Sequence, residues 1–353
     1  QFEQNSDIKD RIINKLSLNY DVSKNFNLMF RSAIDKTIQH FENRDASNGL
    51  INGNGFFGLR DVEIWEYNTD FLVNYQNQIS DDVEISANAG GNLMYHKQED
   101  KSKHTDGGLN IPYVYNLENS NNAIKQSRVL TEKAVNSLYG SAQIAYKNYL
   151  FVELTGRNDW SSTLPQENNS FFYPSISAGL VYSDLLNLSK EAEKIFSFGK
   201  IRASIAAVGN DTDPYRLIPT YYIDTNDVYD TLANITDIIP LKNLKPEQMV
   251  SKEIGTDMRF FQNRIGLDVT YYITNTYNQI VDIDISSTSG SRKAIINTGD
   301  IQNKGLEIQL NGKPVKSEKF EWSFMLNYSK INSEVIKLAE GVSSYQLLEH
   351  WGL

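Results

Sequence analysis

The hydrophobic and polar residues of this chain alternate with a period of two over most of its length. This period predicts β-strands, because successive side chains of a strand point to opposite faces. The clearest case is the hairpin 252–273, which reverses direction at 261–264. Its first strand places Ile254 on one face and Glu253 on the other. The stretch 188–196 alone suggests a helix, and it is short, so an all-β fold is predicted.

The predicted strands number about twelve, and the connections between them sort by length. Short turns are expected near 21–25, 79–83, 147–148, 261–264 and 312–319. Long loops are expected near 36–61, 96–130, 158–170, 209–250 and 274–300. The connection 184–199 is of medium length and lies on the short-turn side. Such sorting is typical of an antiparallel up-and-down transmembrane β-barrel, whereas a soluble β-sandwich has no reason to show it.

Hydropathy is compatible with that prediction. No apolar run approaches the roughly 18 residues of a transmembrane helix, but a barrel strand alternates and therefore escapes hydropathy averages. The mean hydropathy of −0.45 thus leaves a membrane barrel open. We expect the apolar faces of the strands to contact lipid, including Leu150, Val152, Leu154, Ile265, Leu267, Val269 and Ile273.

Composition removes several classes of chemistry. The 353 residues contain no cysteine and four dispersed histidines, which excludes thiolate sites and disulfides and leaves no local histidine pair for a metal. The net charge of −10 argues against binding to nucleic acid. His104, beside Asp106, is interpreted as an ordinary loop residue. No catalytic motif is present, so we expect neither an enzyme nor a bound cofactor.

Three acidic groupings allow two interpretations each. The segments 210–213 and 224–227 could offer oxygen ligands to calcium, or they could be solvated loops, since neither has the full EF-hand spacing. Glu253 and Asp257 share one strand face and could form a catalytic carboxylate pair. Their separation of about 13 Å along the strand favours instead a polar lining shared with Arg259. No metal site is predicted.

Several motifs follow one another in a fixed order over about 130–335. They comprise Arg-Asn-Asp-Trp-Ser-Ser-Thr-Leu at 157–164, Ser-Phe-Phe-Tyr-Pro-Ser at 170–175, Lys-Ile-Arg-Ala-Ser at 200–204 with Gly-Asn-Asp at 209–211, Leu-Lys-Pro-Glu at 244–247, Glu-Ile-Gly-Thr-Asp at 253–257, Arg-Ile-Gly-Leu-Asp at 264–268 and Asn-Thr-Gly-Asp-Ile-Gln-Asn-Lys-Gly at 297–305. This set resembles the barrel of the SusC/RagA family of TonB-dependent outer-membrane transporters of Bacteroidota. The first 130 residues resemble it by strand pattern only.

The resemblance implies a function and a location. It implies import of an oligosaccharide or a peptide nutrient through the outer membrane, energised by TonB. It also implies a SusD-like surface lipoprotein as partner, contacting the long loops, and lipid around the barrel. The alternative from the residues alone is a soluble or surface-exposed β-rich module that binds glycans or acts as an adhesin, which detergent dependence would distinguish.

Three residues of the first motif are candidates for substrate binding. Arg157 shares a strand face with Glu153, so we expect it to point into the lumen of the barrel. Asp159 belongs to a pair that favours the start of a loop. Trp160 is expected at the upper membrane rim, where indole prefers the interface, although an aromatic face could also stack on a sugar ring.

The chain is expected to be a section of a longer barrel. Family members carry a signal peptide, often an N-terminal β-domain, a TonB box, a plug and a barrel of about 22 strands. Residues 1–353 match part of the barrel, without the plug or the terminal strands. The strands near 11–20 and 320–330 would be unpaired edges, so this chain alone is expected neither to close nor to transport.

Overall fold

A computed structural model describes residues 5–47, 53–186, 188–226 and 229–338 of the chain. The strands are β1 Ser6–Asp21, β2 Phe26–Ser47, β3 Asn54–Ser80, β4 Val83–His104, β5 Lys125–Tyr146, β6 Leu150–Ser161, β7 Ser170–Val181, β8 Phe196–Asn210, β9 Tyr221–Asn226, β10 Tyr229–Ile235, β11 Ile238–Ile239, β12 Glu247–Phe260, β13 Ile265–Tyr277, β14 Gln279–Asp284, β15 Lys293–Thr298, β16 Asp300–Lys316 and β17 Glu321–Lys337. The one α-helix among the described residues, α1, spans Lys190–Ile195 and lies inside the predicted stretch. No helix in this part of the chain has the length and apolarity needed to cross a membrane.

Twelve strands form one antiparallel sheet, which confirms the all-β prediction. Its order is β1 to β8 in sequence, followed by β12, β13, β16 and β17. The intervening strands form two smaller sheets, in which β9 pairs with β10, and β15 lies between β11 and β14. Because the twelve strands follow one another across the large sheet in chain order, it is an up-and-down meander.

The chain divides into two compact units. Unit 1 consists of 1–20, 28–72 and 91–136. Unit 2 consists of 21–27, 73–90 and 137–353.

Unit 1 is held together by ion pairs between its strands. Arg31 on β2 pairs with Asp70 on β3 at 2.8 Å, and Asn92 on β4 donates to the other oxygen of Asp70, also at 2.8 Å. The loop 105–124 is tied back to β3, since the amide of Thr105 donates to the carbonyl of Phe57 at 2.9 Å. Both Thr105 and Phe57 are buried.

The strand register of unit 2 separates an apolar face from a polar face. One row across β6, β7, β8, β12, β13 and β16 consists of Val152, Ala178, Ala203, Ile254, Tyr271 and Leu306. The next row on the opposite face runs from β6 to β13 through Glu153, Ser177, Ser204, Glu253 and Tyr272. The residues predicted to contact lipid on β6 and β13 all lie in rows of the apolar face.

The predicted long loops are too long. The sequence placed loops over 36–61 and 96–130, but β2 continues to Ser47, β3 begins at Asn54, and β4 and β5 extend to His104 and from Lys125. The loops predicted at 209–250 and 274–300 contain β9, β10, β11, β14 and β15. Strand ends that carry charges on both faces lose the apolar–polar alternation on which the prediction relied.

Candidate functional site

Arg157 and Asp159 form a compact polar cluster on β6. The Nε atom of Arg157 lies 2.8 Å from Oδ1 of Asp159, and its Nη2 donates to Oγ of Ser137 at 2.8 Å. The hydroxyl of Tyr173 donates to the second oxygen of Asp159. The guanidinium carbon lies 5.6 Å from the centre of the Tyr139 ring. Asp159 is buried and fully engaged, so this cluster presents hydroxyl groups and part of a guanidinium rather than a free carboxylate.

Trp160 does not join that cluster. It pairs with Ser170 across β6 and β7, and alternation places its side chain on the apolar face, opposite to Asp159. The indole is 37% exposed there. The structure therefore brings together two of the three candidate residues, and it places the third on the face that Leu154 and Ile176 share.

A second cluster crosses three strands of the polar face, and the sequence did not indicate it. Arg202 on β8 binds Asp268 on β13 with two hydrogen bonds of 2.8 Å each, although β12 lies between these strands. Its Nε also lies 3.6 Å from Glu253. The guanidinium passes over Gly255, where an added Cβ atom would stand 2.9 Å from Cζ of Arg202. Gly255 is therefore needed for close approach of this side chain.

This arrangement also decides the interpretation of Glu253 and Asp257. Glu253 faces Arg202, whereas Asp257 pairs with Arg259 at 3.2 Å. Each carboxylate thus has its own cation, and the two do not work as a pair. Beside them, an open cavity of about 490 Å³ is lined by residues of both charges, among them Glu153, Lys200, Arg202 and Glu253. The polar lining interpretation is the one that the contacts support.

A third cluster unites the connections of unit 2 into a loop block, which we define as segments 162–169, 236–246 and 278–299. Its core consists of Leu244, which is 0% exposed, with Leu164 and Ile295, each 4% exposed. Each segment contributes one of these side chains. Because burial of such side chains is the main stabilising term available to a loop, the three segments fold as one structure.

Asparagine side chains fasten the loop block. Asn297 donates to the carbonyl of Lys245 at 2.9 Å and accepts from the amide of Lys245 at 2.8 Å. Asn168 donates to the carbonyl of Leu244 at 3.1 Å. Glu247 accepts from the amide of Ile280 at 2.8 Å. The motifs at 157–164, 244–247 and 297–305, which are far apart in sequence, thus meet at one place.

The two acidic segments differ in how far the structure describes them. Asp211 of the segment 210–213 accepts a hydrogen bond from the hydroxyl of Ser161. The side chains of the segment 224–227 lie outside the described part of the chain. Within the part of the chain that the structure describes, no group of three or more potential metal ligands occurs.

His104 lies beside a loop anchor rather than in a reactive site. Its ring is 5.6 Å from the ring of Phe56. Asp106 pairs with Lys125 at 2.9 Å. Hydrogen bonds from Lys125 and Asn122 lower the pKa of the Asp106 carboxyl below its ordinary value. This carboxylate stays ionised and ties the loop 105–124 to the start of β5.

Comparisons with known proteins agree with this architecture. Residues 1–345 match the family described as TonB dependent receptor-like, beta-barrel. The TonB-dependent receptor P26 of Formosa agariphila is 26% identical over 347 residues, which cover 95% of this chain and 34% of that protein. The TonB-dependent receptor SusC of Bacteroides thetaiotaomicron is 22% identical over 311 residues, which cover 84% of this chain and 30% of that protein.

Solved structures show the same fold. The RagAB peptide transporter matches with a TM-score of 0.88 at 17% identity, covering 98% of this chain and 38% of the other. The siderophore receptor PiuA of Acinetobacter baumannii matches with a TM-score of 0.59 at 16% identity, covering 97% of this chain and 50% of the other. The chain spans about a third of the length of the curated relatives, 34% and 30% for the two named above. It belongs to the family of TonB-dependent receptor-like β-barrels, which are proteins of the outer membrane.

Proposed function

We propose that this chain is a section of the barrel wall of a SusC-like importer, which takes up an oligosaccharide or a peptide nutrient with a SusD-like surface lipoprotein. The observation that carries the proposal is the convergence of the family motifs in the loop block, held by Leu244 and Asn297. The likeness to the receptor SusC supports the transporter class, the RagAB peptide transporter shares the fold, and the oligosaccharide is proposed from the motif resemblance. Energy would come from TonB through a plug that lies in the rest of the protein.

The loop block offers a surface that fits a protein partner. Ile218, in the connection that leads into it, is 71% exposed, and Ile239 on β11 is 39% exposed. Tyr215, three residues before Ile218 in the chain, is 58% exposed. Large apolar side chains that are exposed to solvent on an ordered surface favour docking of a protein. A surface lipoprotein seated there would cover them.

The polar faces supply the chemistry for a polar solute. The cluster around Arg157 and the cavity beside Arg202 present hydroxyl groups, a guanidinium and carboxylates. Such groups hydrogen-bond to sugar hydroxyls and to peptide groups alike. We therefore propose that Arg157 lines the path of the solute and that the buried Asp159 holds it in position. Trp160, on the apolar face, is assigned to the membrane rim.

Uptake by the full-length transporter tests the proposal. A deletion strain of the native host, complemented with the complete gene, is grown on single oligosaccharides or peptides as the carbon source. We expect growth on at least one class and loss of growth when a protonophore dissipates the proton gradient. Growth that is unchanged by the deletion on every nutrient of both classes would contradict the import function.

Co-purification tests the partner separately. The full-length transporter is extracted in detergent with an affinity tag, and the bound proteins are identified by mass spectrometry. We expect a surface lipoprotein that is lost in Ile218→Asp. The matched control is Leu186→Asp, since Leu186 is 54% exposed in the turn before α1. Equal recovery of the lipoprotein from both variants would show that the loop surface is not the docking site.

A further inference from the structure

Three aromatic rings lie in a row on one face of unit 1. The rings of Trp65 and Tyr67 stack with centroids 5.8 Å apart, and the ring of Tyr67 lies 6.2 Å from that of Tyr95. On the same face, the strands carry the exposed residues Phe71 and Leu93 to one side of the row. Tyrosine and tryptophan prefer the level where hydrocarbon gives way to lipid headgroups. The row therefore marks that level on this face.

On the other side of the row, the same face becomes charged. Lys36 lies 4.0 Å above the centre of the Trp65 ring, and its Nζ is 2.6 Å from Oε1 of Glu63. Glu99 holds two cations, Arg128 through Nε at 2.5 Å and Lys101 at 3.1 Å. We name Lys36, Glu63, Glu99, Lys101 and Arg128 the headgroup cluster. Its members are three cations and two carboxylates, and Glu132, which accepts a hydrogen bond from Tyr95 at 2.7 Å, is a further carboxylate on the same face.

Around Glu99 the cations are the outermost groups, whereas Lys36, at 24% exposed, lies slightly deeper than Glu63 at 35%. The side chains of Arg128 and Lys101 are 65% and 49% exposed, whereas that of Glu99 is 13% exposed. Arg128 contacts Glu99 through Nε alone, so its two amino groups have no partner among the described residues. A carboxylate behind the cations fixes their position and leaves the outward donors open. A planar guanidinium with open donors can form two parallel hydrogen bonds to the oxygens of a phosphate group.

We propose that the headgroup cluster binds the phosphate group of a lipid of the outer leaflet, and so fixes the depth of the barrel in the membrane. A membrane lipid is the occupant that the position favours, because the cluster lies next to the aromatic row, on the side away from the exposed Phe71 and Leu93. The proposal rests on the orientation in the proposed function, in which the long loops face the outside of the cell. It does not depend on the identity of the imported nutrient.

Lipid binding by the full-length transporter tests the proposal. The delipidated protein in detergent is titrated with monophosphoryl lipid A and with its dephosphorylated form, and native mass spectrometry counts the bound lipids. We expect at least tenfold tighter binding of the phosphorylated lipid, and loss of that preference in the double variant Lys101→Gln with Arg128→Gln. The matched control is Arg60→Gln. Arg60 is 51% exposed and pairs with Asp100 between the same strands β3 and β4, but on the opposite face.

Each outcome decides the proposal. Equal binding of the two lipids by the unaltered protein, or an unchanged preference in the double variant, would overturn it. Binding of inorganic phosphate without preference for the lipid would assign the cluster to a soluble anion and would also overturn the proposal. If the double variant does not assemble, Arg128→Lys replaces it. We then expect a weaker preference for the phosphorylated lipid, because lysine lacks the planar guanidinium. Nutrient uptake is measured in parallel, and uptake by the double variant should persist. Absence of uptake by the unaltered protein would refute the proposed function but would leave the result on lipid binding unchanged.

Discussion

Leu244→Ala should loosen all three segments of the loop block together. Leu244 is 0% exposed and packs with Leu164 and Ile295, each 4% exposed, so the substitution removes three carbon atoms from a closed core. At about 0.8 kcal/mol for each buried methylene, the transfer contribution is about 2–3 kcal/mol. The cavity that remains raises the cost to about 2–5 kcal/mol, depending on how far the neighbours relax.

Hydrogen exchange on the full-length transporter measures this cost locally. Opening of a loop is governed by its own free energy rather than by that of the whole barrel. Because about 1.4 kcal/mol corresponds to a factor of ten, amide protection in 162–169, 236–246 and 278–299 should fall by about 30- to 3,000-fold. Protection in β12 and β13 should stay unchanged. The matched control is Ile239→Ala, since Ile239 is 39% exposed on β11.

Three results would refute the reasoning. Loss of protection in 236–246 alone would show that the three segments open independently, so that Leu244 does not unite them. An equal effect of Ile239→Ala would show that any truncation in the block loosens it, whatever the burial of the side chain. Loss of protection throughout β12 and β13 would mean that the barrel wall depends on the loop core.

Three further predictions concern the sheet itself. Val269→Arg, on the apolar face, should destabilise the folded state by about 2–4 kcal/mol if it lies near the midplane, measured as the midpoint of urea unfolding; an unchanged midpoint would refute contact with lipid. An epitope inserted at the exposed Ile111 should be stained on intact cells and one at Asn263 should not, and the reverse pattern would invert the orientation. Gly255→Val should lower the midpoint of thermal unfolding, because the new side chain would displace the guanidinium of Arg202. Gly53→Val should leave the midpoint unchanged, because a Cβ atom at Gly53 meets nothing within 4 Å. Equal midpoints for the two variants would show that the close approach of Arg202 to Gly255 is dispensable.

The sequence predicted the strands of the large sheet well because each strand shows its own alternation of apolar and polar residues. Alternation within the hairpin 252–273 is a local signal, and the structure confirms it as β12 and β13 with an uninterrupted register. The same signal failed where both faces are polar. The end of β4, from His96 to His104, carries charged and polar side chains on both faces, and it was predicted as part of a loop.

Alternation along β6 is also enough to separate the candidate site residues. Arg157 and Asp159 are two positions apart and therefore share a face, whereas Trp160 is adjacent to Asp159 and must point to the other side. The bridge from Arg202 to Asp268 has no such local signal. It spans two strand pairings, and no pattern within one strand shows that a side chain reaches across a glycine on the strand between them.

The positions of the family motifs bear on where substrate specificity can reside. The loop block is held together by Leu244, Asn297 and Glu247. The bridge from β8 to β13 across β12 uses Arg202, Gly255 and Asp268. A side chain whose donors and acceptors are already paired within the protein cannot distinguish one nutrient from another without breaking those contacts. Two transporters could therefore share every one of these motifs and import different solutes. We therefore expect specificity to come from residues between the motifs that face the solute and keep hydrogen-bonding groups open to it.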